Sequence, residues 1–251
     1  MNTDRTLITV PTYDERENVG GLVRQILAYA PEADVLVIDD DSPDGTADHA
    51  ASLFGSDPRF AVLRRTGARG YGRSLLDGYR RALDAGYARV LQMDADFSHN
   101  PAAIPALLAA SARGADVVIG SRYCPGGGVA NWPLRRRALS RFANRYVAAI
   151  TGLRVGDATS GFRCYTQRAL RVLLEGRTRA EGYAFLVEAT FRTHRAGLRL
   201  AEVPITFTDR REGQSKISRK VIFESVLMPW RLRLAAHRDE DPELKAVDSR
   251  Q

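Results

Sequence analysis

With 251 residues, 44% of them hydrophobic, the chain is long enough for one large α/β domain or two small ones. A net charge of +7 and a pI near 9.7 point to polyanionic partners such as nucleic acid, an anionic membrane or a phosphorylated substrate, although Arg so outnumbers Lys that an Arg-rich composition alone accounts for the sign. No run approaches the roughly 18 apolar residues of a membrane span, and Cys124 and Cys164 lack metal-ligand spacing, which fits a reducing compartment.

Met1 to Arg5 leads directly into a strand, Leu7 to Val10, with no signal-peptide pattern; Pro11 stops it. Asp14, three residues ahead of Glu17, is the expected cap of a helix whose apolar residues Val19, Leu22, Val23, Ile26 and Leu27 recur at helical spacing. Val35 to Ile38 is a second strand, all aliphatic as a strand buried on both faces should be. It runs into Asp39-Asp40-Asp41-Ser42-Pro43-Asp44, too many acids for caps alone, so at least one is expected to bind ligand polar groups. Ala61 to Leu63 is a third strand. The basic, glycine-rich stretch Arg64 to Gly72 follows, ahead of a helix from about Ser74 to Ala85. Such a loop can bring backbone N–H groups to a phosphate, or it is a plain turn.

Arg89 to Met93 is a fourth, buried strand, ending in Asp94 and Asp96. In an extended backbone these side chains leave the same side of the chain. Two adjacent anions repel unless a cation lies between them, and a hard divalent ion bridging to substrate phosphates resolves the repulsion. The plainer alternative is an acidic loop. A helix from Pro101 to Ala112 and a strand from Val117 to Gly120 follow. Alternating strands and helices predict a mostly parallel, three-layer α/β sheet with right-handed crossovers, whose ligands bind outside the carboxyl ends of the strands. Each polar cluster falls at such an end: Pro11 to Glu15, Asp39 to Asp44, Asp94 to Ser98, and Ser121 to Tyr123.

The second half differs in character. Pro125 to Gly128 is expected to be a flexible loop. Trp132 to Ile150 is an amphipathic helix with Arg135, Arg136, Arg137, Arg141 and Arg145 beside the apolar Leu134, Ala138, Leu139, Phe142 and Val147, suited to a membrane interface or an acidic partner, or else a solvated basic face on a packed helix. Asp157 to Tyr165 is polar, with a tight turn at Gly161. A helix from Ala184 to Ala196, an extended stretch from Arg199 to Phe207, a mobile polar segment from Thr208 to Ser218 and a helix from Val221 to Leu234 complete the reading. There is no linker of domain-separating length, so one domain over residues 1–236 is expected, with a charged tail, 237–251, that is expected to be disordered.

Taken together, the rim clusters resemble the polyprenol-phosphate (dolichol-phosphate) mannose synthases. Pro11-Thr12-Tyr13-Asp14-Glu15 is similar to their opening signature, in which Asn more often precedes the Glu. Val37 to Thr46, Met93 to Pro101, Gly120 to Tyr123, Ser160 to Arg163, Val203 to Ile205, Asp209-Arg210 and Gly213 to Lys216 continue in the family order, so the resemblance spans roughly residues 6 to 230. It implies an inverting family 2 glycosyltransferase with a GT-A (Rossmann-like) fold and C-terminal amphipathic helices, divided into a nucleotide-sugar half, 1–123, and an acceptor and membrane half, 124–236.

The resemblance further implies that Pro11, Tyr13, Glu15, Ile38 and Asp40 hold the nucleoside of GDP-mannose. Asp94, Ala95 and Asp96 would bracket its diphosphate and a Mg2+ or Mn2+ ion. Arg122, Arg136 and Ser140 would hold a polyprenyl (dolichyl) phosphate, and Arg210 and Lys216 would close over the donor. Asp94, Asp96 and Arg122 are thereby the candidate catalytic residues, and Asp94, Asp96 and Ser98 the candidate metal ligands. Some members carry Gln where this chain has Ser98, whose shorter side chain leaves room for a water to complete the shell. Some also add C-terminal membrane helices; none is expected within these residues. The enzyme is thus expected in the cytoplasm, peripherally bound to the inner face of the cell membrane, with a separate membrane-anchoring protein as a candidate partner.

The chemistry agrees with the residues. A phosphate monoester is already an anionic nucleophile near neutral pH, because its second pKa is near 6, so no histidine base is needed; His99 is expected to be a loop residue. What the site needs is positive charge, from the metal and the arginines, on two phosphate groups. Transfer of glucose or another sugar to polyprenyl phosphate, or to a different acceptor, is the alternative within enzymes. A basic nucleic-acid-binding protein is the remote one: neither basic aromatic strands nor a helix-turn-helix pattern is present, and the acidic rim would repel a phosphate backbone, so no nucleic-acid partner is expected.

Overall fold

A computed structural model describes residues 4–175, 182–209 and 219–237. In chain order the elements are β1 (Thr6–Thr12), α1 (Arg16–Tyr29), β2 (Asp34–Asp39), α2 (Thr46–Phe54), β3 (Phe60–Arg64), α3 (Tyr71–Asp84), β4 (Arg89–Gln92), a 3-10 turn (Pro101–Ala103), α4 (Ile104–Ala112), β5 (Val117–Ser121), β6 (Gly128–Val129), α5 (Leu134–Thr151), β7 (Arg163–Thr166), α6 (Gln167–Glu175), α7 (Gly182–Arg195), β8 (Leu200–Pro204), β9 (Thr206–Phe207) and α8 (Arg219–His237). Seven strands form one sheet in the order β3-β2-β1-β4-β7-β5-β8; β6 and β9 pair separately. All neighbours in the large sheet are parallel except β7, which runs antiparallel to both β4 and β5.

The strands are aliphatic because both faces are covered. Alternate residues go to opposite layers. Ile8, Val10, Val35, Val37, Leu91 and Val118 pack with Val19, Leu22, Val23 and Ile26 of α1 and Ile104 and Leu107 of α4. Leu7, Leu36, Ile38, Val90, Val117 and Ile119 pack with Leu75 and Tyr79 of α3, Leu170 of α6 and Phe185 of α7. β1 connects outward to β2 on one side and lies beside β4 on the other, so the strand order reverses at β1, where open α/β sheets bind ligands.

Three expectations are corrected. The cap of α1 is not Asp14, which lies in the left-handed region at φ 56°; the backbone N–H of Arg16 donates instead to Asp44 Oδ2, 3.0 Å away, from the turn after β2. The 125–128 stretch is pinned, not free: Gly127 N–H donates to the Cys124 carbonyl and Gly128 N–H to that of Ile205, and a Cβ on Gly127 would lie 2.4 Å from the Ser121 carbonyl oxygen. The polar stretch that begins at Asp157 ends in a central strand, β7, built around the fully buried Arg163. Arg163 donates to the carbonyls of Ser160 and Ala158 at 2.7 Å and of Leu186 at 2.9 Å, and to Thr190 Oγ1 at 2.9 Å, tying the start of β7 to α7.

Replacing Arg163 by Met keeps most of the aliphatic volume and removes these donors from buried acceptors. Arg163→Met is expected to lose at least about 3 kcal/mol, measured as a lowered urea midpoint at unchanged slope. A midpoint equal to that of the parent protein would mean that water takes over the carbonyls.

Candidate active site

Among the described residues, three of the four non-glycine residues with positive φ stand at the carboxyl rim: Asp14 after β1, Asp41 (59°) after β2 and Phe97 (58°) after β4. Such conformations cost about 1–3 kcal/mol each and gather where a turn must present something. At Phe97 the support is visible. Gly21 of α1 leaves room for its ring; a Cβ there would lie 3.2 Å from Phe97 Cζ. β4 ends at Gln92, one residue earlier than expected, so Asp94 and Asp96 belong to the turn rather than to an extended strand.

Asp94 Oδ1 accepts the Tyr71 hydroxyl at 3.1 Å from the start of α3. Desolvation, and then the charge of Asp94, push the Tyr71 phenol well above its ordinary value, so it remains a donor. Gly161, just before β7, lies under the same carboxylate: a Cβ would stand 3.2 Å from both Asp94 oxygens and 2.9 Å from Tyr71 Oη. Asp96 is buried, and its Oδ1 accepts the Ser98 N–H at 3.1 Å. His99 is 1% exposed, stacked on Phe162 and edge-on to Phe207. Burial lowers its pKa, outweighing Asp94 and Asp96, and the neutral ring accepts the Asp94 backbone N–H at Nδ1. It is therefore a buried support for the turn, as expected of a loop residue.

Among the described residues no three His, Cys, Asp or Glu side chains gather as a metal cage. The oxygens offered are those of Asp94 and Asp96, and Ser98 Oγ is buried without a hydrogen-bond partner. Two carboxylates and a hydroxyl suit a hard divalent cation whose remaining positions go to water and phosphate, so the residues fit Mg2+ or Mn2+.

On the β1–β3 side the expected nucleoside residues converge. Pro11 and Ile38 are register partners on β1 and β2. The Ile38 side chain is fully buried in the core, and its carbonyl accepts the Thr12 hydroxyl at 3.5 Å. Asp40 pairs with Arg65 and accepts the Gly70 N–H at 2.7 Å, so its carboxylate anchors the basic loop that was expected either to reach phosphate or to be a plain turn. Arg69 of that loop lies over Tyr13, donates to its hydroxyl at 2.8 Å and reaches the Asp41 carbonyl at 3.0 Å. Glu15 accepts the Asn18 amide, and its N–H donates to Thr46. Asp39 and Asp44 serve the turn itself, accepting from Thr12, Ser42, Thr46 and Arg16.

The expected acceptor residues also meet. Arg122 and Arg136 both lie over the Trp132 ring, at 5.7 and 4.0 Å, and Arg122 is 5.4 Å from the Phe207 centroid. Ser140 accepts the Tyr123 hydroxyl at 2.7 Å. Arg122 pairs with Asp157 rather than with the rim acid Asp94, and Arg136 pairs with Asp209. Phe207 touches both His99 and Trp132, and Thr208 N–H donates to the Ser98 carbonyl, so the acid turn and the arginine pocket are direct neighbours. Arg210 and Lys216 lie outside the described residues. Sequence reasoning missed Tyr71, Trp132 and Phe207 as site residues, and also Asp157; the first three were visible as aromatics flanking rim clusters, whereas Asp157 carried no local signal.

A mostly parallel sheet presenting paired carboxylates at its strand-order reversal, beside a basic aromatic pocket, is the layout of a GT-A-type glycosyltransferase. The model of glycosyl transferase family 2 matches residues 7–174, and the chain belongs to that family. It is 43% identical over 232 residues to undecaprenyl-phosphate mannosyltransferase of Micrococcus luteus, covering 92% of this chain and 95% of that one. It is 42% identical over 234 residues to polyprenol monophosphomannose synthase of Mycolicibacterium smegmatis, covering 92% and 88%. Among solved structures, glucosyl-3-phosphoglycerate synthase from Mycobacterium tuberculosis, in complex with Mn2+, UDP and phosphoglyceric acid, shares the fold at 18% identity with a TM-score of 0.65, covering 93% of this chain and 78% of that one. Mannosyl-3-phosphoglycerate synthase from Rubrobacter xylanophilus does so at 20% identity with a TM-score of 0.58, covering 94% and 74%.

Gly161→Ala presses a methyl group against Asp94 and Tyr71. It is expected to cut sugar transfer about ten- to a hundredfold with an unchanged far-UV circular dichroism spectrum. Full transfer in that variant would show that the Asp94 carboxylate can shift without loss.

Proposed function

We propose that this enzyme transfers mannose, with inversion, from GDP-mannose to a polyprenyl phosphate at the inner face of the cell membrane, using Mg2+ or Mn2+. The observation that carries the reading is the contact between the acid turn and the Arg122–Trp132–Arg136 pocket, because both reacting partners are anions and must be held side by side. The relatives' names support polyprenyl phosphate as acceptor and mannose as the sugar. In this reading residues 1–123 hold the donor and 124–236 the acceptor.

Asp94, Asp96 and Ser98 would hold the cation, which supplies positive charge to the departing diphosphate. Pro11, Tyr13, Glu15, Ile38 and Asp40 would border the nucleoside, with Arg210 and Lys216 over the donor. Arg122, Arg136 and Ser140 would orient the lipid phosphate so that one of its oxygens attacks the anomeric carbon as the bond to GDP breaks. The nucleophile enters already ionised, so no proton has to move to His99, whose Nδ1 is already an acceptor for the turn.

No helix among the described residues is long and apolar enough to cross a membrane. Leu134, Leu139 and Phe142 of α5 stand 79%, 68% and 66% exposed, interspersed with Arg135, Arg137, Arg141 and Arg145. Trp230 of α8 is also exposed; its indole donates to Tyr146 of α5, joining the two helices. This face suits peripheral binding to an anionic bilayer, where a lipid acceptor is met. A membrane-anchoring partner protein would meet the same face.

A panel of GDP-mannose, UDP-glucose and UDP-N-acetylglucosamine with a short polyprenyl phosphate, read by product mass, is expected to give mannosyl product from GDP-mannose alone. Asp96→Asn is expected to abolish it nearly completely together with metal-dependent donor binding. Product from another donor would select the alternative transferase. In liposome flotation the enzyme should float with anionic vesicles at low salt and be released as the Debye length falls from about 10 Å at 0.1 M to about 3 Å at 1 M. Flotation indifferent to salt would remove the electrostatic part of the membrane reading.

A further inference from the structure

Arg122 is held more completely than acceptor contact alone requires. It follows β5 and is 5% exposed, while Asp157, in the loop before β7, is fully buried. Asp157 Oδ2 accepts both Arg122 Nε at 2.7 Å and the Arg122 backbone N–H at 3.0 Å, and Oδ1 accepts Nη2 at 2.7 Å. The carboxylate therefore fixes the guanidinium and the main chain of one residue together, through the bidentate geometry that gives such pairs their directionality. Burial alone would push the Asp157 carboxyl up, but the Arg122 hydrogen bonds and charge outweigh it and hold the group below its ordinary value.

The carboxylate is itself located from two directions. The N–H groups of Gly156 and Asp157 donate to Glu202 of β8, at 2.9 and 3.1 Å. Thr159 Oγ1 accepts Arg122 Nη2 at 2.8 Å, donates to Asp157 Oδ1 at 3.1 Å and accepts Asn144 Nδ2 at 3.1 Å. Asn144 lies on α5, two turns beyond Arg136 and one beyond Ser140, to whose carbonyl it also donates. The guanidinium emerges among the rings of Tyr123, Trp132 and Phe207, with Arg136 on the other contact of Trp132.

We propose that Asp157 is a positioning residue for acceptor binding: with Thr159 and Asn144 it locks Arg122 to α5, so that Arg122 and Arg136 address the acceptor phosphate as one rigid pair. This rests on the reading of Arg122 as an acceptor residue. Asp157 touches no substrate; it acts through Arg122, and a buried guanidinium deprived of its carboxylate would turn toward whatever anion or water remains.

The test is a double-mutant cycle with Arg122→Ala and Asp157→Asn, using a short polyprenyl phosphate for transfer kinetics and calorimetry of GDP for the donor site. Arg122→Ala and Asp157→Asn should each raise the acceptor KM about tenfold or more, the loss of one charge-assisted bond, while GDP affinity stays at the parent value. The double variant should match Arg122→Ala alone, since Asp157 has nothing left to position. Thr159→Val removes the link to α5 with little change of volume and should raise the acceptor KM about threefold; it carries the test if Asp157→Asn does not fold. Unchanged acceptor KM in Arg122→Ala overturns the acceptor reading and this proposal with it. A raised KM there, with parent-like KM in Asp157→Asn and Thr159→Val, overturns the positioning role alone. So does an additive double variant, or an equal loss of GDP affinity.

Discussion

Two carboxylates at the mouth of a buried strand repel one another, and the surroundings of Asp94 and Asp96 are arranged around that repulsion. Tyr71 gives Asp94 a hydroxyl, Ser98 gives Asp96 an amide, and Gly161 leaves a methyl-sized gap for the Asp94 oxygens. The strained Phe97 turns the chain just after Asp96 and is held by the space at Gly21. His99 stays neutral beneath, so no protonated imidazole cancels the charge of the pair. A hard divalent cation between two such carboxylates would relieve their repulsion.

Neighbouring the acids is a pocket of the opposite kind. Its arginines are not simply exposed charges: Arg122 is desolvated against Asp157, and Arg136 is laid on Trp132. Planar guanidinium groups fixed against rings and a carboxylate lose less freedom on binding phosphate than lysines would. Phe207 stands between the acid turn and the arginine pocket, in ring contact with His99 on one side and Trp132 on the other.

The rim was legible in the sequence because strand ends carry it. Val35 to Ile38 is wholly aliphatic, and Val90, Leu91 and Met93 are apolar, as strands of a covered sheet should be, so the acids that follow them were expected at its edge. The helices α1, α3, α4, α5, α7 and α8 were likewise visible from apolar spacing, within a few residues of their ends. In α2 the buried residues are Thr46, Ala47, Ala50 and Phe54, all but the last small, which gave a weak signal. For α6 the signal was present, since Ala169, Leu170, Val172 and Leu173 fall on one helical face. β7 was hidden for a physical reason. Its identity as a strand depends on β4 and β5 on either side, and its largest buried side chain, Arg163, is polar. The Arg122–Asp157 pair spans 35 residues and leaves no periodic trace.

The position of β7 has a consequence for how the nascent chain becomes a protein. β4 and β5 are separated in the sheet by a strand that the ribosome delivers only after the whole 122–162 segment. Until then both present unpaired backbone along apolar edges, a template for pairing with another chain. Synthesis of the first half therefore leaves the sheet in two pieces, and closing it requires a long loop before any pairing rewards the lost entropy. A chain cut near residue 123 would consequently keep β3-β2-β1-β4 and the acid turn but lose β7 and β8, leaving β5 with neither of its neighbours in the sheet.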